Sequence, residues 1–193
     1  DMAYYRSDEH MLRDTLFSVV SVTTGTGYAV VDYGQWGAFP ETVFLALMFV
    51  GGCAGSAACG MKVFRLEIMA RSVMSFASGL LSPNRITTVR YNGQAVRDDV
   101  LQSVLIFVFL YLVTFAVAAV LLSLMGLDTL TAYSAAATSV SNVGPGLGPM
   151  IGPSGTFQGL PDPAKWVCIA TMLLGRLEFV TVFVVLSPRF WRI

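Results

Sequence analysis

Charged side chains are scarce in this sequence. Only 12% of its 193 residues are Asp, Glu, Lys or Arg, whereas 55% are hydrophobic. An ordinary soluble domain carries about 25% charged residues, so the composition argues against a soluble globular protein. The formal net charge is zero, and the total therefore gives no indication of a nucleic-acid partner.

Cysteine and histidine are also few. The sequence contains three cysteines, Cys53, Cys59 and Cys168, and a single histidine, His10. An odd number of cysteines without paired spacing gives no disulfide framework, and Cys53 and Cys59 lack the CxxC spacing of a metal site. We interpret Cys53 and Cys59 as small buried residues.

Long apolar stretches are what the sequence has in abundance. No charged residue occurs in the 28 positions between Asp99 and Asp128, and about 20 apolar residues suffice to cross a bilayer. Residues 104–122 are almost continuously apolar, and residues 42–50 and 166–186 form two further apolar stretches. Three such stretches predict an all-α, multi-pass membrane protein. The lipid bilayer is therefore one of its partners.

The basic residues predict how these stretches are oriented. Those between the first two apolar stretches are Lys62, Arg65, Arg71, Arg85, Arg90 and Arg97, and those after the last are Arg189 and Arg192. The connection 128–165 contains no Arg and one Lys at its far end. Basic short loops stay in the cytoplasm. We therefore expect residues 61–98 and the C-terminus inside, and residues 128–163 outside.

The two halves of the chain share one order of features. Each has a short Ser/Thr/Ala-rich segment, a Gly-rich turn and then an apolar helix, which is a weak internal repeat. A short helix followed by Gly-rich backbone at membrane depth is tolerated only where it is buried or lines a watery cavity. We predict helix–pore loop–helix repeats over residues 1–80 and 81–193. Their parts are pore loop 14–30, broken helix 40–80, outer helix 99–126, pore loop 129–150 and inner helix 163–188.

The Gly-rich turns suit the binding of a bare cation. Backbone carbonyls can replace the hydration shell of potassium if the chain is extended and the carbonyls point inward. Gly permits positive φ and a close approach to the ion, Thr adds hydroxyl oxygens, and a helix C-terminus aimed at the pore favours a cation. Residues 23–27 (TTGTG) have this composition. Either turn alone is most often an ordinary loop, so the prediction depends on finding two, each followed by an apolar helix.

Five segments resemble the Trk/Ktr/HKT superfamily of potassium transporters, most closely its bacterial TrkH/TrkG type of membrane subunit. These segments are 21–28 (SVTTGTGY), 51–65 (GGCAGSAACGMKVFR), 89–100 (VRYNGQAVRDDV), 142–148 (NVGPGLG) and 173–192 (LLGRLEFVTVFVVLSPRFWR). The resemblance implies one pore built from four loop-containing repeats. The present chain would be the third repeat without its outer helix, plus the complete fourth, so that the first two repeats are missing N-terminal parts of the same chain.

The resemblance also implies particular residues for the ion path. Its filter glycines correspond to Gly27 and Gly144, and potassium, the transported ion, would be bound by carbonyls of Gly25, Thr26, Asn142 and Val143. Thr24 completes the predicted filter set. Two departures stand out, since Gly25 interrupts a run of Thr, and Ala57, Ala58 and Cys59 replace residues of a loop that is usually richer in Gly and Thr.

The resemblance implies a gate where glycines break the first apolar helix. The predicted gating residues are Gly51, Gly52, Gly55, Ser56, Gly60 and Arg176. An arginine near the middle of a span costs at least about 2.5–3.5 kcal/mol and needs a partner in the bundle. We expect Arg176 to bond Ser56 or carbonyls of the broken segment. A kinked helix with close packing, and an arginine paired with a carboxylate elsewhere, stay open as alternatives.

Partners and location follow from the resemblance alone. It implies the bacterial inner membrane, a homodimer and a cytoplasmic nucleotide-binding regulatory subunit of the TrkA type, with no organic cofactor. Channel-like flux and proton- or sodium-coupled symport both stay open. A secondary transporter of another solute, using broken helices, is the alternative reading. We expect no enzyme, because the apolar stretches contain only Arg176 and Glu178 as ionisable groups.

Overall fold

The structure, a computed structural model, describes residues 8–53, 55–56, 59–81, 89–177, 179–188 and 190–191. Within them the chain forms seven α-helices: α1 (Asp8–Thr24), α2 (Ala38–Phe49), α3 (Val63–Leu81), α4 (Asp98–Leu124), α5 (Thr129–Ser141), α6 (Asp162–Arg176) and α7 (Phe179–Leu186). Short 3-10 turns cover Tyr33–Trp36 and Phe157–Gly159. Ala57, Ala58, Arg85, Glu178, Arg189 and Arg192, which were named above, lie outside the described residues.

Helix α4 is the one described helix that is long and apolar enough to cross a bilayer by itself. Its 27 residues extend about 40 Å at 1.5 Å per residue. One stripe of the helix, including Phe107, Tyr111 and Leu122, is buried inside the bundle, whereas Phe109 and Val120 on the other side are exposed. An apolar helix with an apolar exposed side is typical of contact with lipid.

The predicted broken helix 40–80 and the third apolar stretch are each divided into two helices. Between Phe49 and Val63 the chain leaves helical geometry, so α2 and α3 are separate. The inner helix, expected to run unbroken over 163–188, is also interrupted, because α6 ends at Arg176 and α7 begins at Phe179. The interruption lets the Phe179 ring pack edge-on against Phe107 and Tyr111 of α4, with ring centroids 5.6 and 6.1 Å away.

Helix α5 lies at the centre of the bundle and contacts α2, α4 and α6. Every residue from Thr131 to Ser141 is buried except Tyr133. Four of them are alanines (Ala132, Ala135, Ala136 and Ala137), each with 0% exposure. Small residues let neighbouring helices approach closely in a membrane bundle, where apolar side chains alone give no preference for protein over lipid.

A small β-hairpin connects the two halves and was not predicted. Strand β1 (Arg90–Tyr91) pairs antiparallel with β2 (Gln94–Ala95), with Arg90 opposite Ala95. The turn residues Asn92 and Gly93 have φ of 48° and 79°. Positive φ at both turn positions is the type I′ geometry that Asn-Gly favours, so the dipeptide was a usable signal.

The three cysteines differ in burial. Cys168 on α6 is buried, Cys59 is half-buried and Cys53 is exposed. The interpretation of Cys53 as buried was therefore wrong. Cys53 lies between α2 and α3, outside both helices.

Candidate functional site

The first predicted turn follows the C-terminus of α1. Gly25 and Gly27 have φ of 69° and 75°. The Gly25 N–H donates to the Val22 carbonyl at 3.2 Å, and the N–H groups of Thr26 and Gly27 both donate to the Ser21 carbonyl, at 3.0 and 3.3 Å. These bonds close the end of α1 and turn the chain sharply. We call residues 24–27 the first bend.

The second predicted turn follows α5 in the same way. Asn142 lies in the left-handed region with φ 55° and ψ 43°, and Gly144 has φ 115°. The Asn142 N–H donates to the Ser139 carbonyl at 3.4 Å, and the Val143 N–H donates to the Thr138 carbonyl at 3.1 Å. The Gly144 N–H donates to the Thr138 hydroxyl at 2.9 Å. We call residues 142–144 the second bend.

The two bends correspond residue by residue. Gly25 matches Asn142, and Gly27 matches Gly144, both pairs at positive φ, while the residues between them, Thr26 and Val143, are not in the positive-φ region. In an ordinary extended strand successive carbonyls alternate between opposite sides. Alternating the sign of φ allows successive carbonyls to point toward one side, which is what a carbonyl-lined ion site requires.

The bends lie against each other, backbone to backbone. A β-carbon built on Gly25 would lie 3.6 Å from the Asn142 carbonyl oxygen, and one on Gly144 would lie 3.6 Å from Gly27 Cα. A β-carbon on Gly27 would overlap the Val143 carbonyl oxygen. Glycine is therefore required at position 27 for two reasons. Its φ is positive, and the second bend leaves no space for a β-carbon.

Hydroxyl groups behind the bends hold the outgoing chain. Ser21 Oγ donates to the Tyr28 carbonyl at 2.6 Å. Ser134 Oγ accepts from the Leu147 N–H at 3.0 Å and donates to the Leu147 carbonyl at 3.1 Å. Ser21, Ser134 and Thr138 were not singled out from the sequence. The sequence feature that could have indicated these three residues is the Ser/Thr enrichment of the two short helices. That enrichment does not by itself show which hydroxyl faces the bend.

Exposure distinguishes the polar atoms of the first bend. The side chains of Thr24 and Thr26 are exposed, and their hydroxyl oxygens lie 2.7 Å apart. Gly25 and Gly27 are half-buried. On the second bend Val143 is buried and Gly144 is exposed. The exposed residues of the two bends are therefore Thr24 and Thr26 in the first and Gly144 in the second.

The start of α5 is fixed by its N-terminal cap. The Asp128 carboxylate accepts from the Thr131 N–H at 3.1 Å, which satisfies one of the free donors of the first helical turn. Hydrogen bonding from Thr131 lowers the pKa of Asp128. The carboxylate also lies at the N-terminus of α5, which is the positive end of the helix dipole. The second bend follows the C-terminus of α5, which is the negative end.

Helices α1 and α5 differ sharply in their surroundings. Whereas α5 is enclosed, α1 exposes much of an apolar side, with Leu12 62%, Leu16 55% and Val20 54% exposed. A groove along this side reaches Ser21, Thr26 and Tyr28 at the first bend. The first bend is therefore covered on fewer sides than the second.

The segment between α2 and α3 folds back on itself. The Gly51 N–H donates to the Met61 carbonyl at 2.6 Å, the Met61 N–H donates to the Phe49 carbonyl at 3.0 Å, and the Val63 N–H donates to the Gly52 carbonyl at 3.1 Å. These bonds satisfy backbone groups that the broken helix leaves open. We call residues 50–62 the break segment.

Glycines allow the break segment to close. Gly55 and Gly60 have φ of 81° and 78°. A β-carbon on Gly51 would overlap the Cys59 carbonyl oxygen, so the two ends of the segment touch through backbone. Gly51 and Gly60 are buried, Gly52 is half-buried and Gly55 is exposed.

Arg176 reaches the break segment from the last residue of α6. Its Nη1 donates to Cys59 Sγ at 3.0 Å. The expected bond to Ser56 is not formed, since the buried Ser56 hydroxyl has no hydrogen-bond partner among the described residues. Cys59 was not expected as a contact of Arg176, because the fold of the break segment decides which of its side chains lies near the guanidinium.

Side chains do not provide a conventional metal site in the described part of the chain. No group of three or more His, Cys, Asp or Glu is placed to hold a metal ion there. A cation passing the two bends would instead meet peptide carbonyls and the Thr hydroxyls, which are hard oxygen ligands suited to potassium.

Comparison with known proteins shows the family of this chain. Residues 6–193 match the TrkH family, described as cation transport protein. This chain belongs to the TrkH family. The Trk system potassium uptake protein TrkI of Halomonas elongata is 49% identical over 181 residues, covering 94% of this chain and 37% of that protein. TrkH of Vibrio parahaemolyticus is 36% identical, covering 97% of this chain and 38% of that protein.

A solved structure of this family shares the fold. The crystal structure of the potassium transporter TrkH from Vibrio parahaemolyticus superposes with a TM-score of 0.86 at 35% identity, covering 98% of this chain and 40% of that chain. The all-α membrane fold predicted from the sequence, and the resemblance to this family, are thereby confirmed. The chain spans less than two fifths of the length of the curated relatives named above.

Proposed function

We propose that the complete protein containing this chain takes up potassium across the bacterial inner membrane, through a filter lined by peptide carbonyls. The observation that carries the proposal is the backbone contact between the two bends, each with the same alternation of φ. The relatives named for potassium uptake support the choice of ion. The proposed ligands are the carbonyls of Gly25, Thr26, Asn142 and Val143, with Gly27 and Gly144 permitting the geometry.

Two bends form only part of a ring around an ion. The apolar, exposed side of α1 beside the first bend contrasts with the enclosed α5, and the relatives are more than twice as long as this chain. We assign residues 1–80 and 81–193 to the third and fourth of four repeats. In this proposal the remaining bends come from other segments of the same protein, packed against α1.

The break segment and Arg176 serve as the gate in this proposal. A guanidinium held at Cys59 places a positive charge next to a segment that interrupts a spanning helix. A cation approaching along the path is repelled by that charge. Opening requires the break segment and Arg176 to move apart. A substitution in the break segment or at Arg176 should therefore change ion flux.

Orientation and partners complete the proposal. The basic residues Lys62, Arg65, Arg71, Arg90 and Arg97 favour placing residues 61–98 in the cytoplasm, with the C-terminus on the same side. Family resemblance supports a homodimer and a cytoplasmic nucleotide-binding regulatory subunit of the TrkA type.

A secondary transporter with broken helices is the second candidate function. The observation that favours it is that helical geometry is interrupted at two places, after Phe49 and after Arg176. Broken helices in transporters typically surround a solute site near the midplane. Such a site would depend on side chains at the breaks and would tolerate changes at Gly144.

Potassium uptake by the complete protein in a potassium-uptake-deficient bacterium tests the proposal. Gly144→Ser strains a residue at φ 115° within the bend and should abolish selective uptake. Gly126→Ser is the matched control, because Gly126 has φ 88° and open space where a β-carbon would lie. If both variants support growth equally at low potassium, the filter assignment fails.

A further inference from the structure

Asn142 is unusual in its backbone conformation. Among the described residues that are not glycine, only Asn92 and Asn142 have positive φ. Glycine adopts this region more freely than any other residue, and Gly25 occupies the matching position of the first bend. An asparagine at this point therefore needs a reason beyond backbone geometry.

The side chain of Asn142 supplies that reason. Its Nδ2 donates to the Met172 carbonyl of α6 at 3.2 Å. Carboxamide nitrogen can only donate, and a helix carbonyl can accept a second bond while it remains in the helix. The second bend is thereby fastened to α6 by a bond that glycine could not make.

Helix α6 is shaped to receive this side chain. A β-carbon on Gly175 would overlap the Val140 carbonyl and lie 2.9 Å from Asn142 Nδ2. Only glycine lets α6 lie this close to the end of α5. Gly175 therefore packs against both the Val140 backbone, which precedes the second bend, and the Asn142 side-chain amide within it.

The same turn of α6 also holds the break segment. Met172 and Arg176 are four residues apart and so lie on one face of the helix. Arg176 Nη1 bonds Cys59 Sγ at 3.0 Å. One helical turn thus contacts the second bend at its beginning and the break segment at its end.

We propose that the Asn142 carboxamide is a positioning group that fixes the second bend to α6, so that ion discrimination depends on where α6 and the break segment lie. The inference rests on the proposed function. It adds a role for a side chain that does not face the ion, and it connects the filter to the gate through one helix turn.

Potassium and sodium uptake by the complete protein in proteoliposomes tests the inference. Asn142→Gly keeps the left-handed backbone but removes the bond, and Asn142→Asp keeps the shape and tolerance for positive φ but replaces the donor with an acceptor. Both should lower the ratio of potassium to sodium uptake, by about fivefold if the bond supports the potassium-occupied bend alone and its full free energy is lost. Asn92→Gly, which removes the other left-handed asparagine, should leave the ratio unchanged.

The outcomes separate the inference from the proposed function. If the unmodified protein takes up potassium but both Asn142 variants keep its ratio, backbone geometry is all that Asn142 supplies and the inference is overturned. If the unmodified protein takes up no potassium, the proposed function is overturned. The inference, which rests on that function, is then overturned as well. Should Asn142→Gly fail to accumulate in the membrane, the near-isosteric Asn142→Asp still provides the result.

A double variant tests the connection to the gate. If α6 transmits position, the effects of Asn142→Gly and Arg176→Ala on the ion ratio should be non-additive, because both act through the same turn. Independent, multiplying effects would show that the bend and the break segment do not communicate through α6, and would overturn that part of the inference.

Discussion

Gly27 and Val143 belong to different halves of the chain, yet a β-carbon on Gly27 would overlap the carbonyl oxygen of Val143. The peptide backbones of the two bends are therefore in direct contact at this point. Any side chain at position 27 would have to push the second bend away or distort its own backbone, which is already at φ 75°.

Gly27→Ala should therefore abolish selective potassium uptake. The change combines unfavourable positive φ, at about 1 kcal/mol or more, with a steric collision against the second bend. Growth at low potassium and the membrane level of the protein would be measured together. Gly79→Ala is the control, since a β-carbon there meets nothing within 4 Å, and its growth should equal that of the unmodified protein.

Arg176→Ala should raise ion flux. The change removes a positive charge held at the break segment by Cys59, so the closed path repels cations less. Flux would be compared with that of Arg71→Ala, which removes an arginine bonded instead to Glu67 and to the Arg90 carbonyl. Unchanged or lower flux in Arg176→Ala at normal protein level would argue against a role in the gate.

Ser134→Ala should destabilise the second bend. Ser134 is fully buried and bonds both the N–H and the carbonyl of Leu147, and leaving such buried groups unpaired costs about 1–3 kcal/mol. We expect a lower midpoint of thermal unfolding in detergent and reduced ion selectivity. Ser78→Ala removes a hydroxyl that bonds only the Met74 carbonyl at an exposed position, so an equal loss of stability there would contradict the prediction.

The cap of α5 should make stability depend on pH in acid. The folded-state pKa of Asp128 is lowered by Thr131, so its contribution is present above the pKa of the unfolded chain and is lost as pH falls through the folded value. Asp128→Ala should cost about 1 kcal/mol at neutral pH. Thermal unfolding of both proteins at neutral and strongly acid pH provides the measurement, and the difference should shrink in acid. A difference independent of pH would show that the carboxylate charge does not contribute.

Much of the architecture could be predicted because its signals are local. The charge-free run that became α4, the glycine-rich break after Phe49 and the turns after α1 and α5 are each encoded within a few neighbouring residues. The Asn-Gly turn of the hairpin was an equally local signal that was overlooked.

The rest depends on contacts between distant segments. The interruption after Arg176 is accompanied by packing of Phe179 on α4, a contact between segments far apart in the sequence. Likewise, the contact of Arg176 with Cys59 depends on how the break segment closes. The internal repeat in the sequence led us to expect that the two bends lie near each other. Their direct backbone contact could be seen only in the folded structure.

The exposure of Cys53 offers a practical consequence. Of the three thiols, Cys53 is exposed, Cys59 is half-buried and Cys168 is buried, so a maleimide probe should react first at Cys53. A spin or fluorescent label attached there would sit on the break segment without any engineered cysteine. Spectroscopy on the labelled native sequence could then follow that segment in real time, with Cys59→Ser and Cys168→Ala variants confirming which thiol carries the probe.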